Sequence, residues 1–157
     1  MPVPEMHAIQ IAPADVLLGF AGGSKRAVLQ SLAAEAARRL NLPEREVLDA
    51  LQAREALGST ALGRGVALPH ARMEGEIPPT MLFARLARPV DYEARDEEPV
   101  DLVILVLWPA AEPEGFLPSL AETCRALREP QTLRRLRAAA TPEEVASLLA
   151  PNPGRDG

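Results

Sequence analysis

Apolar and polar positions alternate between two periods along the chain, and the switches mark its elements. Val16–Phe20 is a short apolar run closed by Ala21-Gly22-Gly23, the pattern of a strand running into a turn. Ser24 then offers a hydroxyl at an N-cap position, and Val28, Leu32, Ala36 and Leu40 recur at helical spacing, which predicts a helix over Lys25–Leu40. A second helix is predicted from Pro43, with Val47, Leu48, Leu51 and Leu57 on its buried side and Gly58 as its stop. From residue 58 to residue 79 the periodicity lapses. This stretch is rich in glycine and proline, interrupted only by Val66-Ala67-Leu68, and reads as a long loop of the kind that carries function.

Residues 80–86 and 100–107 read as strands. The second is apolar at successive positions, as a central strand covered on both faces must be, and an acidic segment joins the two. Residues 115–129 fit a third helix ending at Pro130, and Leu133 and Leu136 mark a short fourth. Thr141-Pro142-Glu143-Glu144 forms a capping box for a last helix that reaches about Ala150. Strands interleaved with helices in this order predict an α/β chain built as a helix/sheet/helix sandwich, without internal repeats.

Length and composition narrow this further. A chain of 157 residues suits one domain with a substantial core, and 3% aromatic residues means that aliphatic side chains fill it. The net charge of −5 argues against a general nucleic-acid binder, and the arginines between Arg125 and Arg137 read as a solvated or docking face. Cys124 is the single cysteine, which excludes an intrachain disulfide and a thiolate metal site. No apolar run approaches the roughly 20 residues of a membrane helix. The first residues lack the basic and apolar regions of a signal peptide, so a cytoplasmic protein without membrane insertion is expected. Residues 1–8 are expected to be flexible, residues 151–157 a disordered tail, and residues 9–150 the domain.

Two stretches invite a phosphate-binding reading. Gly19 to Arg26 fails as a phosphate loop, because Ser24 stands where the second glycine belongs and Arg26 where the Ser/Thr belongs. The other centres on His70, at the end of an apolar run and directly after a proline; His7 is the only other histidine. Arg54, Ser59, Thr60, Gly63 and Gly65 lie within twenty residues of it. A guanidinium, hydroxyls and glycine-exposed amides are the groups that hold phosphoryl oxygens, and imidazole is a competent nucleophile near neutral pH. A loop histidine bonded to a backbone carbonyl is the other reading of the same residues, and the commoner one.

The run R-E-A-L-G-S-T-A-L-G-R-G-V-A-L-P-H-A-R, residues 54–72, resembles the signature of the type-2 (fructose/mannitol-like) EIIA domains of the bacterial phosphotransferase system. Arg88-Pro89-Val90 and Pro99-Val100-Asp101-Leu102 look like that family's strand boundaries, and L-R-R-L-R-A-A before a capped acidic helix looks like its nitrogen-regulatory branch. The resemblance covers about Ile9 to Leu149. It implies a three-layer α/β/α sandwich around a mixed β-sheet, and a phosphoryl group received on His70 from an HPr-like carrier without metal or cofactor. It also makes Arg54 the active-site arginine and puts Ser59 and Thr60 in the active-site turn, with Gly63 and Gly65 as amide donors. The partners implied are that carrier and either regulatory protein targets or an EIIB component.

Family members commonly carry a second, supporting histidine in an H-L-x-x-L pattern; here the residues are Phe116-Leu117-Pro118-Ser119-Leu120. A phenyl ring cannot donate a hydrogen bond to a phosphoryl oxygen, and it is not expected to orient the imidazole. The expectation is a phosphohistidine carrier with nitrogen-regulatory output. The alternatives are a sugar-specific EIIA component and a non-catalytic interaction module on the same fold.

Overall fold

The computed structural model describes residues 11–150; residues 1–8 and 151–157, expected to be flexible and disordered, and His7 among them, fall outside the described residues. Six strands, β1 (Val16–Phe20), β2 (Ala61–Gly63), β3 (Val66–Ala67), β4 (His70–Met73), β5 (Thr80–Val90) and β6 (Val100–Pro109), form one mixed sheet. Five helices complete it: α1 (Lys25–Leu40), α2 (Glu44–Ala56), α3 (Phe116–Ala126), α4 (Pro130–Ala138) and α5 (Pro142–Leu149). The strand order is β1-β5-β6-β3-β2, with β4 also on β6. β1 runs parallel to β5, β5 antiparallel to β6, and both β3 and β4 parallel to β6.

The three layers follow from the period-two side-chain alternation of the central strands. Leu82, Ala84 and Leu86 of β5 and Val103, Leu105 and Leu107 of β6 face one way, into a core shared with α1 and α2. Phe83 of β5 and Leu102, Ile104, Val106 and Trp108 of β6 face the other, into a core closed by α3, α4 and α5. With both faces covered, β6 is apolar throughout. None of the described helices is long and apolar enough to cross a membrane.

The caps act as expected at two helices: Ser24 Oγ accepts from the Ala27 amide at 3.1 Å, and Thr141 Oγ1 from the Glu144 amide at 3.2 Å. Elsewhere the structure departs from expectation. Residues 58–79 hold three short strands, each too brief for a period to show; β2 pairs with β3, and β3 and β4 pair with β6, which lies far away in sequence. β5 continues to Val90 beyond an irregularity in register after Arg85, where exposed positions and Pro89 interrupt the alternation. α3 stops at Ala126 because the next amides bond back three residues, Arg128 to Arg125 and Glu129 to Ala126, in a tightened turn. Leu57, expected on the buried side of α2, follows the helix end and is 84% exposed.

Candidate functional site

His70 opens β4, opposite Val106 of β6, and its half-buried ring is held from both nitrogens. β3 and β4 lie end to end along β6, interrupted at Leu68-Pro69, where proline has no N–H for the ladder. Beside this break the imidazole Nδ1 lies 2.7 Å from the Leu68 carbonyl oxygen, and on the opposite edge Arg54 Nε donates to Nε2 at 3.2 Å. An arginine nitrogen only donates, so Nε2 is the acceptor and the ring proton sits on Nδ1. The imidazole thus caps a backbone carbonyl and still presents a lone pair on Nε2. The carbonyl contact expected of a loop histidine is therefore present, and it leaves the Nε2 lone pair directed at Arg54.

Arg54 lies in the last turn of α2 and is itself anchored, with Nη1 donating to the Gly58 carbonyl at 2.9 Å. Burial of the ring pulls the His70 pKa below the ordinary imidazole value, and the Arg54 guanidinium pushes the same way, against the Leu68 bond and Glu55, which favour the cation. The ring is therefore neutral at pH 7. A ring-proton titration followed by NMR should give a midpoint below about 6.5, and Arg54→Ala should move it upward by removing the repelling charge. A wild-type midpoint at or above the ordinary value would contradict this.

The turn between α2 and β2 is organised by Glu55. Its carboxylate accepts from the Thr60 amide at 3.1 Å, from the Thr60 hydroxyl, and from the Tyr92 hydroxyl at 3.1 Å, and it pairs with Lys25 Nζ at 3.0 Å. Ser59 Oγ donates to the Tyr92 carbonyl at 3.0 Å and accepts from the Ala61 amide. The hydroxyls of Ser59 and Thr60, expected to meet phosphoryl oxygens, are instead engaged in building this turn. Gly63 and Gly65 are also placed differently from expectation. They flank Arg64 in the hairpin from β2 to β3, with φ of 59° at Arg64 and 80° at Gly65, the left-handed pair that a two-residue hairpin turn requires. This hairpin meets Asp96, Asp101 and Arg137, and along β6 it lies roughly four residues, or about 13 Å, from His70. The glycines serve the turn and not the imidazole.

Phe116, at the start of α3, does reach the site. Its ring centroid is 6.0 Å from that of His70 with the planes tilted by 57°, and 5.8 Å from Trp108. The phenyl ring packs against the imidazole in a tilted arrangement and supplies no hydrogen-bond donor. Arg72, which the sequence reading passed over, stands two residues beyond His70 on the same face of β4 and holds its guanidinium 5.8 Å from the Phe116 centroid. The signal was available in the alternation of β4, once β4 is known to be a strand. Leu117, the neighbour of Phe116, is 71% exposed. Two surface clefts, of about 280 and 420 Å³, border α4; neither is lined by Arg54, His70 or Phe116.

The family described as "Phosphoenolpyruvate-dependent sugar phosphotransferase system, EIIA 2" matches residues 11–151. The chain belongs to this EIIA family. A "Nitrogen regulatory protein" of Bradyrhizobium diazoefficiens is 40% identical over 150 residues, covering 96% of this chain and 95% of that one. The crystal structure of the nitrogen regulatory protein IIA-Ntr from Neisseria meningitidis superposes with a TM-score of 0.85 at 30% identity, over 90% of this chain and 97% of that one. The mannitol EIIA of Escherichia coli, solved in complex with phosphorylated mannitol EIIB, shares the fold at a TM-score of 0.73 and 19% identity, over 92% and 98% of the two chains. The EIIA fold of this chain therefore brings together Arg54, His70 and Phe116 from the sequence-derived set, leaves Ser59 and Thr60 in the supporting turn, and sets Gly63 and Gly65 apart.

Proposed function

We propose that the protein is a phosphohistidine carrier of the phosphotransferase system, a phosphotransferase that accepts a phosphoryl group on His70 from an HPr-like protein. Its output is regulatory, through protein targets that distinguish the two states. The observation that carries this reading is the held imidazole, with Nδ1 fixed to the Leu68 carbonyl and the unprotonated Nε2 turned toward a fixed guanidinium. The Nε2 lone pair forms the new N–P bond in line as the donor's N–P bond breaks, its electron pair staying on the donor nitrogen. The Nδ1 proton does not move. Arg54 Nε–H turns from Nε2 to a phosphoryl oxygen, and neutralising charge on the transferring group is its contribution. Ser59 and Thr60 act indirectly, through the turn that anchors Arg54. The similarity to nitrogen regulatory proteins along nearly the whole chain supports the regulatory branch. An EIIB component is the alternative acceptor, by analogy with the mannitol pair.

Intact-mass measurement after incubation with a phosphorylated HPr-like carrier tests the proposal. One acid-labile phosphoryl group per chain is expected, and an unchanged mass overturns it in favour of a non-catalytic interaction module. Phe116 is the residue that favours this second reading, because the supporting donor is missing. Phe116→His should therefore raise the labelling rate or the lifetime of the phosphohistidine by up to about tenfold, the effect of about 1.4 kcal/mol of added hydrogen bonding. It should also lower thermal stability, since Phe116 is only 8% exposed and packs on Trp108. A folded Phe116→His with unchanged uptake and hydrolysis would show that the position is not a catalytic lesion.

A further inference from the structure

The chain carries 17 basic residues, of which Lys25 is the sole lysine. Its side chain is only 15% exposed, with Nζ 3.0 Å from Glu55, 3.0 Å from Glu93 and 4.7 Å from the centroid of the Tyr92 ring. Glu55 is 7% exposed. A buried carboxylate in the last turn of a helix is opposed by desolvation and by the helix dipole, and a well-packed apolar residue often serves stability as well. Here the carboxylate collects donors from three other parts of the chain: Lys25 at the start of α1, Thr60 before β2, and Tyr92 between β5 and β6.

Both halves of the reactive pair hang from the turn that Glu55 clamps. Gly58 supplies the carbonyl that anchors Arg54, and the Thr60 carbonyl accepts from the Leu68 amide at 3.0 Å. Leu68 in turn accepts from His70 Nδ1. We infer that Glu55, braced by Lys25 and Tyr92, is a positioning residue that sets the Arg54–His70 geometry for phosphoryl transfer. The inference rests on the function proposed above and adds residues that touch neither the imidazole nor the phosphoryl group. Burial works against the charged lysine, but Glu55 and Glu93 outweigh it and hold its pKa above the ordinary value, so the brace stays charged at neutral pH.

Labelling rates from a phosphorylated HPr-like carrier should fall about 10- to 100-fold in Glu55→Gln and in Lys25→Met, the range expected when a catalytic group is displaced by about an ångström. Lys25→Arg, which keeps a cation for Glu55, should recover most of the rate. In an Arg54→Ala background, Glu55→Gln should cost a clearly smaller factor than in wild type, because only the His70 half of the pair is left to position. Equal rates in wild type and folded Glu55→Gln would overturn the inference, as would the same fractional loss with Arg54 absent. Should Glu55→Gln not fold, Tyr92→Phe retains the ring and removes one donor; it should be about threefold slower, and an unchanged rate counts against the inference. NMR reads the geometry without any transfer: the Arg54 Nε–H resonance should exchange slowly in wild type and fast in Glu55→Gln. If wild type takes up no phosphoryl group while this signal depends on Glu55, the proposed function falls and the positioning stands. If wild type is labelled while neither rate nor signal depends on Glu55, the positioning falls and the function stands.

Discussion

His70→Ala should abolish phosphoryl uptake altogether, with no residual acid-labile label by intact mass. The expectation rests on the lack of a substitute nucleophile among the described residues. His70 is the one histidine among the described residues, and the thiol of Cys124 is half-buried, with burial raising its pKa and keeping it protonated. The substitution should also leave the fold intact. It removes a bond to the Leu68 carbonyl and packing against Phe116, a loss of about 1–2 kcal/mol that appears as a modest drop in melting temperature. A cooperative unfolding transition together with complete loss of labelling separates a missing acceptor from a missing structure. Labelling of His70→Ala at the wild-type rate would move the acceptor elsewhere.

Arg54→Lys should slow uptake by about 100-fold, equivalent to about 2.7 kcal/mol of transition-state stabilisation. The arginine uses two nitrogens at once, Nη1 on the Gly58 carbonyl and Nε on His70, so its planar head is held at both ends. A lysine has one nitrogen and must choose. The charge survives the substitution, so the His70 titration midpoint should stay depressed in Arg54→Lys while it rises in Arg54→Ala. That contrast distinguishes lost geometry from lost charge. A labelling time course indistinguishable from wild type would exclude Arg54 from the reaction.

The parts of this architecture written in local chemistry were legible from the sequence. The caps at Ser24 and Thr141, the apolar stripe of α1 and the continuous apolar run of β6 each depend on residues close together in the chain, and each formed as expected. The meeting of Arg54 with His70 was legible from a motif of nineteen residues. What could not be read depends on pairing across long sequence separations. β3 and β4 are two and four residues long, and the ladder partner they share is β6, whose paired residues lie more than thirty positions later. Once their placement is unknown, so is the distance between the Gly63–Gly65 hairpin and His70, and nearness in sequence misleads. The role of Glu55 was hidden for the same reason, since its partners Lys25 and Tyr92 lie 30 and 37 positions away. Phe116 was legible as a substitution but not as a packing partner.

The seat of His70 on a sheet strand, fixed at both nitrogens, also bears on how a target would tell the two states apart. A mobile loop can report modification by changing shape; a residue wedged between the central strand, Phe116 and Arg54 has little room to move. On the reading proposed above, the message is an electrical one. Before transfer the face bears the guanidinium groups of Arg54 and Arg72 around a neutral ring. Afterwards it bears up to about two added negative charges at the same spot, and its local positive charge is cancelled with its contours nearly unchanged. Partners would then be sorted by complementary charge, and their preference for one state over the other should fade as added salt shortens the reach of that field, to about 3 Å at 1 M.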